Sequence, residues 1–296
     1  MTEQLRLLAV HAHPDDEASK GAATMARYVK EGVEVMVATC TGGERGDLLN
    51  PAAAADVDEL GMVEVRRREM AQAVAALGVD HRWLGFVDSG YPAHLDGGEV
   101  EPLPPGCFAD LPLETATAPL VALIREFRPH VVTTYDEKGG YPHPDHIRTH
   151  EIAMMAFEHA DDLERFPGGE PWRPLKMYYN MTFHKARVEA MHAAMLDAGV
   201  ESPFTEWVER WRERPDDAWR ITTRIPVADY FGYRDDALLA HRTQVDPSGM
   251  WFAMPRDLER EIWPTEDFQL AISRVPTALP EDDLFAGIRG HRQEGQ

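Results

Sequence analysis

Short apolar runs along the chain alternate with longer stretches in which apolar residues recur every three or four positions. The first run covers residues 5–10, and similar runs cover residues 33–39, 82–87 and 130–135. Continuous runs of this kind predict interior strands of a parallel sheet, because such strands are buried on both faces. Up to Ala160 the chain therefore alternates strand and helix, as a doubly wound α/β fold does.

Three of the intervening stretches have clear helical periodicity. They cover residues 17–31, 56–77 and 113–127, and the first two lead into Gly32 and Gly78. Glycine at that position favours the end of a helix, because it adopts the left-handed conformation without steric strain. We therefore expect three helices that cover the faces of the sheet.

The second half of the chain is less regular. Residues 175–181 and 221–227 resemble strands, and residues 185–211 and 230–244 contain helical stretches. The proline-rich residues 92–112 predict an irregular surface loop that shapes the rim of a pocket. A compact aromatic segment follows, and core packing is the favoured interpretation of its rings, which belong to Trp251, Phe252, Trp263 and Phe268.

Together these elements predict an α/β fold with a Rossmann-like, mostly parallel sheet flanked by helices and an elaborated α/β C-terminal part. We expect residues 1–288 to form a single catalytic domain. Within it, residues 1–160 are the doubly wound core and residues 161–288 complete the pocket. The short tail, residues 289–296, is predicted to be disordered.

Composition narrows the classes of partner. The chain has 51 acidic against 30 basic residues, a formal net charge of -21, and such a field repels nucleic acid. No apolar run approaches the roughly 20 residues that cross a bilayer, and no secretory signal is evident. The two cysteines, Cys40 and Cys107, suit a reducing compartment. We therefore expect a cytoplasmic protein that binds neither nucleic acid nor membranes.

Two polar turns follow apolar runs that are far apart in the sequence. His13 and Asp16 lie three residues apart after the first run, and His143 and His146 follow residues 130–135. Because ligands bind at the carboxyl ends of parallel strands, we expect both turns to lie at one edge of the sheet. An imidazole and a carboxylate from the first turn, with a third ligand from the second, predict a catalytic zinc site that stays open to water. One imidazole is then left over.

The segments His13-Pro14-Asp15-Asp16-Glu17 and His143-Pro144-Asp145-His146 together resemble the signature of the LmbE-like zinc N-deacetylases, which remove acyl groups from amino sugars. The resemblance implies a hydrolase that acts on an amide and holds one zinc ion per chain. Iron(II) is an alternative, because histidine and carboxylate ligands accept both metals. The implied ligands are His13, Asp16 and His146.

The resemblance also implies roles for four residues near the metal. Asp15 adjoins a ligand without being needed for coordination, and it is expected to be the general base. His143, as an imidazolium, is expected to stabilise the oxyanion or donate a proton, oriented by Asp145. Capping of the following helix is an equal alternative for Asp145. Tyr141 is expected to add a hydroxyl donor.

Six further residues are predicted to contact the substrate. Lys20, four residues after Asp16, is expected to project from the first helical turn towards the acyl-cysteine side of the substrate, although a lysine extending into solvent is an alternative. Arg66 and Asp88 match residues that hold the sugar and inositol in related deacetylases. Weaker candidates, for each of which a structural role is an equal alternative, are Glu44, His241 and Gln244.

Residues 19–23, 41–51 and 85–90 most resemble the branch of the family that cleaves S-conjugates of mycothiol. The expected substrate is therefore a small pseudo-disaccharide thiol conjugate, hydrolysed to an N-acetylcysteine conjugate and glucosaminyl-inositol in a detoxification reaction. Two alternatives are deacetylation of N-acetylglucosaminyl-inositol, a biosynthetic step for the same thiol, and metal-dependent sugar binding without turnover. Asp15 and His143 argue against the last, because binding alone needs neither.

Overall fold

The computed structural model describes residues 4–93, 100–215 and 217–289. Within this part of the chain, seven strands form one mixed sheet. The strands are β1 (Arg6–His11), β2 (Glu34–Thr41), β3 (Asp80–Phe86), β4 (Val131–Thr134), β5 (Lys176–Asn180), β6 (Thr223–Pro226) and β7 (Thr265–Ser273).

The strand order in the sheet is β3-β2-β1-β4-β5-β7-β6. Neighbouring strands from β3 to β5 pair in parallel, whereas β7 runs antiparallel to both β5 and β6. The prediction of a mostly parallel α/β sheet is confirmed. Because the strand order reverses direction at β1, the crevice at the carboxyl ends of β1 and β4 is the place where a sheet of this kind binds ligands.

Eleven α-helices are found among the described residues. They are α1 (Asp16–Ser19), α2 (Ala22–Lys30), α3 (Ala54–Leu60), α4 (Met62–Leu77), α5 (Leu113–Phe127), α6 (Pro144–His159), α7 (Lys185–Asp197), α8 (Thr205–Trp211), α9 (Phe231–Ala240), α10 (Met250–Ala253) and α11 (Arg256–Ile262). The predicted helix over residues 113–127 is confirmed as α5.

The alternation of side chains along β1 separates two apolar cores. Leu7 and Ala9 belong to a core that includes residues of α2, α4 and α9. Leu8 and Val10 belong to a second core, which includes residues of α5 and α6. Helices thus cover both faces of β1, so the polar residues that follow this strand emerge at the edge of the sheet.

Two helices predicted as continuous are each divided by a glycine. The predicted helix 17–31 is α1 and α2, because Gly21 has φ +83° and a Cβ added there would lie 3.1 Å from Asn180 Oδ1. The predicted helix 56–77 is α3 and α4, separated at Gly61 with φ +80° and ψ 150°. Both predictions are wrong in this respect, since apolar periodicity does not reveal where a glycine leaves the helical conformation.

The segment after residue 244 has more regular structure than its sequence predicts. It contains α10, α11 and β7, and the apolar pattern does not predict β7 because Glu266 and Asp267 lie near its start. Both carboxylates are buried and accept hydrogen bonds. Glu266 accepts from the backbone N–H groups of Ala23 and Thr24 at the start of α2, and Asp267 Oδ2 lies 2.9 Å from His184 Nε2.

Three remaining predictions concern segments around these elements. The predicted helix 230–244 ends early, because α9 stops at Ala240. In the predicted loop 92–112, the described residues include a short 3-10 helix at Phe108–Asp110, whereas residues 94–99 lie outside the described chain, as does the predicted tail from residue 290. No helix within the described residues is long and apolar enough to cross a membrane.

Candidate metal centre and active site

The two polar turns meet at the carboxyl ends of the neighbouring strands β1 and β4. His13 and Asp16 come from the turn after β1, and His146 comes from the first turn of α6. Asp16 Oδ2 lies 3.6 Å from His13 Nδ1 and 3.4 Å from His146 Nε2. All three side chains are buried, and their potential ligand atoms lie within 4.8 Å of one another. One metal ion fits between two imidazoles and one carboxylate in this arrangement.

The hydrogen bonds of His146 leave one ring nitrogen available for a metal. Nδ1 lies 2.9 Å from the carbonyl oxygen of Gly139 and donates to it in the neutral tautomer that this bond selects. Nε2 is buried and has no hydrogen-bond partner among the described residues. A buried nitrogen lone pair without a partner is costly unless a cation occupies it, so this atom fits a metal ligand.

Carboxylates surround His13 on the side away from Asp16. Its Nε2 lies 3.2 Å from Asp145 Oδ2 and 3.6 Å from Asp88 Oδ1. Although burial opposes the charged form, the hydrogen bonds with Asp145, Asp16 and Asp88 raise the pKa of His13 well above its usual range. The site therefore concentrates negative charge. His13 is one of the residues that would hold a divalent cation, and the contacts of Nε2 with Asp145 and Asp88 would orient its ring for that role.

The carboxylate of Asp145 orients His13 and not His143, which corrects the predicted role. Asp145 Oδ2 also accepts a hydrogen bond from the backbone N–H of Ser89, at 3.0 Å. His13, His143 and Asp145 also lie close enough to hold a metal. Asp145 Oδ2 has two hydrogen-bond partners, whereas Asp145 Oδ1 and His146 Nε2 are both buried and have none among the described residues. Both sets are therefore open to a metal, and the set with His146 is the one that the two polar turns predict.

Asp16 is held by groups that the sequence motif does not include. The Tyr135 hydroxyl donates to Asp16 Oδ2 at 2.6 Å, and Lys20 Nζ donates to Oδ1 at 2.5 Å. Burial alone would raise the pKa of Asp16, but the charges of Lys20 and His146 lower it well below its usual value. Tyr135 lies within the predicted strand 130–135, where no signal in the sequence distinguishes it from a core aromatic residue.

Asp15 lies beside the ligand set in a strained backbone conformation. Its φ is +113°, and Glu17 accepts a hydrogen bond from its backbone N–H at 3.0 Å. A residue other than glycine in this region costs about 1–3 kcal/mol, so surrounding contacts must hold it there. Burial raises the pKa of Asp15, although the nearby Arg66 opposes this. A carboxylate with a raised pKa is suited to accept a proton near neutral pH.

His143 is buried on the other side of His13, with a ring-to-ring distance of 4.6 Å. It forms the N-cap of α6, because its Nδ1 accepts the backbone N–H of Asp145 at 3.1 Å. The predicted N-cap role of Asp145 is therefore wrong. Burial, followed by the charges of His13 and His146, lowers the pKa of His143 to about 3. The predicted imidazolium is thus disfavoured, and the neutral ring has its proton on Nε2.

Two tyrosines lie at the rim of the site. Tyr141 is half exposed and its ring packs edge-on against His146, at 4.6 Å between centroids. Burial of its hydroxyl raises the pKa of Tyr141, so this group stays protonated as a potential donor. The ring centroid of Tyr91 lies 5.6 Å from that of His143, and no motif in the sequence points to Tyr91. These rings line the entrance to the ligand set.

The structure engages Arg66 and Asp88, two of the predicted substrate contacts, in contacts within the protein. The Arg66 guanidinium is buried and donates to the carbonyl oxygens of Pro14 and Gly43, with Asp15 Oδ2 at 3.3 Å. Asp88 is also buried and accepts the backbone N–H groups of Arg45 and Gly90. Both residues brace the loops around Asp15 and His13. Arg66 Nε has no hydrogen-bond partner among the described residues, but it is buried, so it is not exposed to a ligand in this geometry.

The weaker candidates have similar contacts. Glu44 accepts the backbone N–H of Asp88 at 2.9 Å, and Gln244 donates to the carbonyl oxygen of Asp47 at 3.0 Å. His241 is fully buried, with Nε2 2.5 Å from Glu17, whose other oxygen holds the backbone of Asp15. The structural alternative is the one favoured for these residues. The Lys20 ammonium donates to Asp16 Oδ1. It therefore extends neither towards the pocket mouth, as the prediction had it, nor into solvent, which was the alternative.

The chain is similar to several known proteins. Residues 8–157 match the family model described as PIG-L, GlcNAc-PI de-N-acetylase. The chain is 57% identical over 293 residues to mycothiol S-conjugate amidase of Streptomyces coelicolor, covering 98% of this chain and 99% of that protein. It is 42% identical to 1D-myo-inositol 2-acetamido-2-deoxy-alpha-D-glucopyranoside deacetylase of Thermobispora bispora, over 96% of this chain and 98% of that one.

A solved structure shares the fold at lower sequence identity. N,N'-diacetylchitobiose deacetylase of Pyrococcus horikoshii superposes with a TM-score of 0.60 at 18% identity. The match covers 90% of this chain and 83% of that chain. At this identity the likeness supports the fold alone.

Proposed function

The chain belongs to the PIG-L family of GlcNAc-PI de-N-acetylases, and we propose that it hydrolyses the amide bond of mycothiol S-conjugates. It is a hydrolase that acts on an amide. The products of the proposed reaction are an N-acetylcysteine S-conjugate and glucosaminyl-inositol.

The observation that carries amide hydrolysis is that Asp15 and His143 both adjoin the ligand set His13, Asp16 and His146. Asp15 directly precedes Asp16 in the turn after β1, and the ring of His143 lies 4.6 Å from that of His13. We propose zinc as the ion held by these three residues, and iron(II) suits the same donors. When bound, such an ion supplies Lewis-acid chemistry, polarising a carbonyl group and making water easier to deprotonate.

The protein's own residues then divide the proton transfers. Asp15 takes the proton from the attacking water, a role that fits its raised pKa. The Nε2–H of neutral His143 donates a hydrogen bond to the carbonyl oxygen as it becomes negative. The proton held by Asp15 passes to the amine nitrogen as the amide bond breaks. Tyr141, at the rim, is proposed to donate a hydrogen bond from its hydroxyl to the same oxygen.

Sequence similarity supports the choice of substrate. The S-conjugate amidase relative is 57% identical over almost the whole of both chains, whereas the relatives named as inositol deacetylases are 37% to 42% identical. Deacetylation of N-acetylglucosaminyl-inositol remains the second candidate because several relatives have that activity in their names. We also propose a reducing, cytoplasmic location, since Cys40 and Cys107 are buried free thiols.

The test is a comparison of kcat/KM for an S-alkylated mycothiol and for N-acetylglucosaminyl-inositol, on enzyme of measured metal content. The proposal expects faster cleavage of the conjugate. As a control, Asp15→Asn should keep its metal and lose about 10²–10⁴-fold in rate, the usual effect of removing a general base. Preference for the acetylated sugar would overturn the substrate assignment, and an Asp15→Asn enzyme with full activity would overturn the role of Asp15.

A further inference from the structure

Lys20 makes a contact in the metal centre that its place in the sequence does not reveal. Its Nζ lies 2.5 Å from Asp16 Oδ1, and only 15% of the lysine side chain and 5% of the aspartate side chain are exposed. Asp16 Oδ2, by contrast, accepts hydrogen bonds from the Tyr135 hydroxyl at 2.6 Å and from the backbone N–H of His13 at 3.0 Å. It also lies 3.6 Å from His13 Nδ1 and 3.4 Å from His146 Nε2. The two oxygens of one carboxylate therefore have separate partners.

The break between α1 and α2 places the ammonium there. Lys20 has an extended backbone, with φ -136° and ψ 97°, directly after the last residue of α1. Gly21, with φ +83°, then turns the chain into α2. The ammonium also contacts Ser19 Oγ at 3.1 Å and lies 5.7 Å from the centroid of the Tyr135 ring. These two neighbours thus hold Nζ on the Oδ1 side of Asp16.

We propose that Lys20 is a positioning residue that restricts Asp16 to coordination through a single oxygen, Oδ2. This inference rests on the proposed metal site. A carboxylate binds a metal through one oxygen or through both, and an ammonium on Oδ1 competes with the second mode. Coordination through one oxygen leaves a position at the ion free for the amide oxygen or water. It also limits the negative charge donated to the ion, which keeps the ion a stronger Lewis acid.

The charge of Lys20 also affects how tightly the metal binds. A cation this close to the ligand set repels a divalent ion, so the protein binds its metal less tightly than the three ligands alone would allow. Removing the ammonium should therefore strengthen metal binding and weaken catalysis. If Lys20 only contacted the substrate, its removal would change neither the affinity of the protein for the metal nor the coordination of the metal.

Lys20→Met tests this, because methionine is unbranched and similar in length but uncharged. Lys20→Arg keeps a cation on Oδ1. Lys30→Met removes the same charge from an exposed lysine at the end of α2 and serves as the matched control. Each apo protein is titrated with Zn²⁺ against a chromophoric chelator, and each Co²⁺-substituted protein is examined by visible absorption.

We expect Lys20→Met to bind Zn²⁺ about 10-fold more tightly and to lose about 10–100-fold in kcat, the range found when contacts to metal ligands are removed. Its Co²⁺ bands should weaken, because the intensity of d–d absorption falls as the coordination number rises. Lys20→Arg and Lys30→Met should match the wild type in affinity and spectrum.

Unchanged or weaker Zn²⁺ binding by Lys20→Met, or an unchanged Co²⁺ spectrum, would overturn this inference. Because neither measurement uses substrate, such a result leaves the proposed amidase activity untouched. Conversely, a wild-type enzyme that binds metal but cleaves neither substrate refutes the proposed function alone. If Lys20→Met does not fold, Lys20→Gln removes the same charge with a shorter side chain and is judged by the same two readouts.

Discussion

His143 remains neutral because its imidazole is buried beside two others. Its Nδ1 is already occupied by the backbone N–H of Asp145, and its pKa is lowered to about 3. A metal ion between His13 and His146 would disfavour a charge on His143 further. At the residue scale, the catalytic contribution of this histidine is therefore a fixed hydrogen-bond donor and not a titrating acid.

This assignment makes a prediction for the pH profile of His143→Gln. Loss of one donor to a developing oxyanion should lower kcat/KM about 10²–10³-fold. Because a group with a pKa near 3 does not titrate over the assay range, both limbs of the pH profile should stay where they are in the wild type. The measurement is kcat/KM from pH 5 to pH 10 for both proteins. Disappearance of the alkaline limb in the variant would show that protonated His143 is required.

At the scale of elements, the loop between β4 and α6 sets the orientation of His146. Gly139 accepts the hydrogen bond from His146 Nδ1, and the loop passes so close to α6 that no larger residue fits there. A Cβ at Gly139 would lie 2.6 Å from His146 Cβ and 2.9 Å from the carbonyl oxygen of Tyr141. Arg220 holds the start of the same loop through Asp136 and Glu137.

We expect Gly139→Ala to lower the affinity for Zn²⁺ about 10–100-fold, because the displaced loop no longer orients His146. Gly140→Ala is the matched control, since Gly140 has φ +73°, close to the +72° of Gly139, but no atom within 4 Å of an added Cβ. Both variants therefore place a Cβ at a residue with a similar positive φ, but only the Cβ of Gly139→Ala also clashes with His146. Equal metal affinities in a chelator competition would rule out a role for the close approach.

At the scale of the whole molecule, buried ion pairs connect the helices of the C-terminal part. Glu259 on α11 is 2% exposed and accepts hydrogen bonds from Arg234 of α9, at 2.7 Å and 2.9 Å. Arg187 of α7 lies 3.6 Å from the same carboxylate. Burial alone would raise the pKa of Glu259, but the hydrogen bonds and charge of Arg234 lower it below its usual 4.5.

A carboxyl group with a depressed pKa in the folded state stabilises the fold above its unfolded pKa and ceases to do so as the pH falls through its folded value. Glu259→Gln should therefore lower the free energy of unfolding by about 1–3 kcal/mol at pH 7, because Arg234 and Arg256 lose a buried charged acceptor, although Arg234 keeps Asp235 Oδ1 at 3.1 Å. The difference from the wild type should shrink below pH 4. The measurement is urea unfolding at both pH values.

Glu261→Gln, at an exposed position on the same helix, is the control and should change the free energy of unfolding little at either pH. A Glu259→Gln difference that stays constant between pH 7 and pH 3 would contradict the linkage. It would mean that packing of the side chain, and not its charge, stabilises the three helices.

The class of fold and the positions of the two polar turns could be predicted from the amino-acid sequence alone. Apolar runs identify β1, β2, β4 and β5 because interior strands need apolar side chains on both faces. The run at residues 82–87 also identifies β3, but the prediction of an interior strand there is wrong, since β3 is the edge strand and has no buried residue. His13, Asp16 and His146 stand out because they follow β1 and β4. These features are local. Burial and turn chemistry are specified by residues close together in the chain, so a pattern along the sequence is enough to predict them.

Contacts between groups that are far apart in the sequence depend on the tertiary structure. Asp145 lies 132 positions from His13 and Tyr135 lies 119 positions from Asp16, and no periodicity records such pairs. Lys20 lies only four positions from Asp16, and its contact also depends on the local fold, because the chain leaves the helix before Gly21. The dependence on tertiary structure also holds for Arg66 and His241, which brace Asp15 directly or through Glu17. Partner choice depends on where distant segments pack, and the pKa of His143 depends on how deeply that packing buries it.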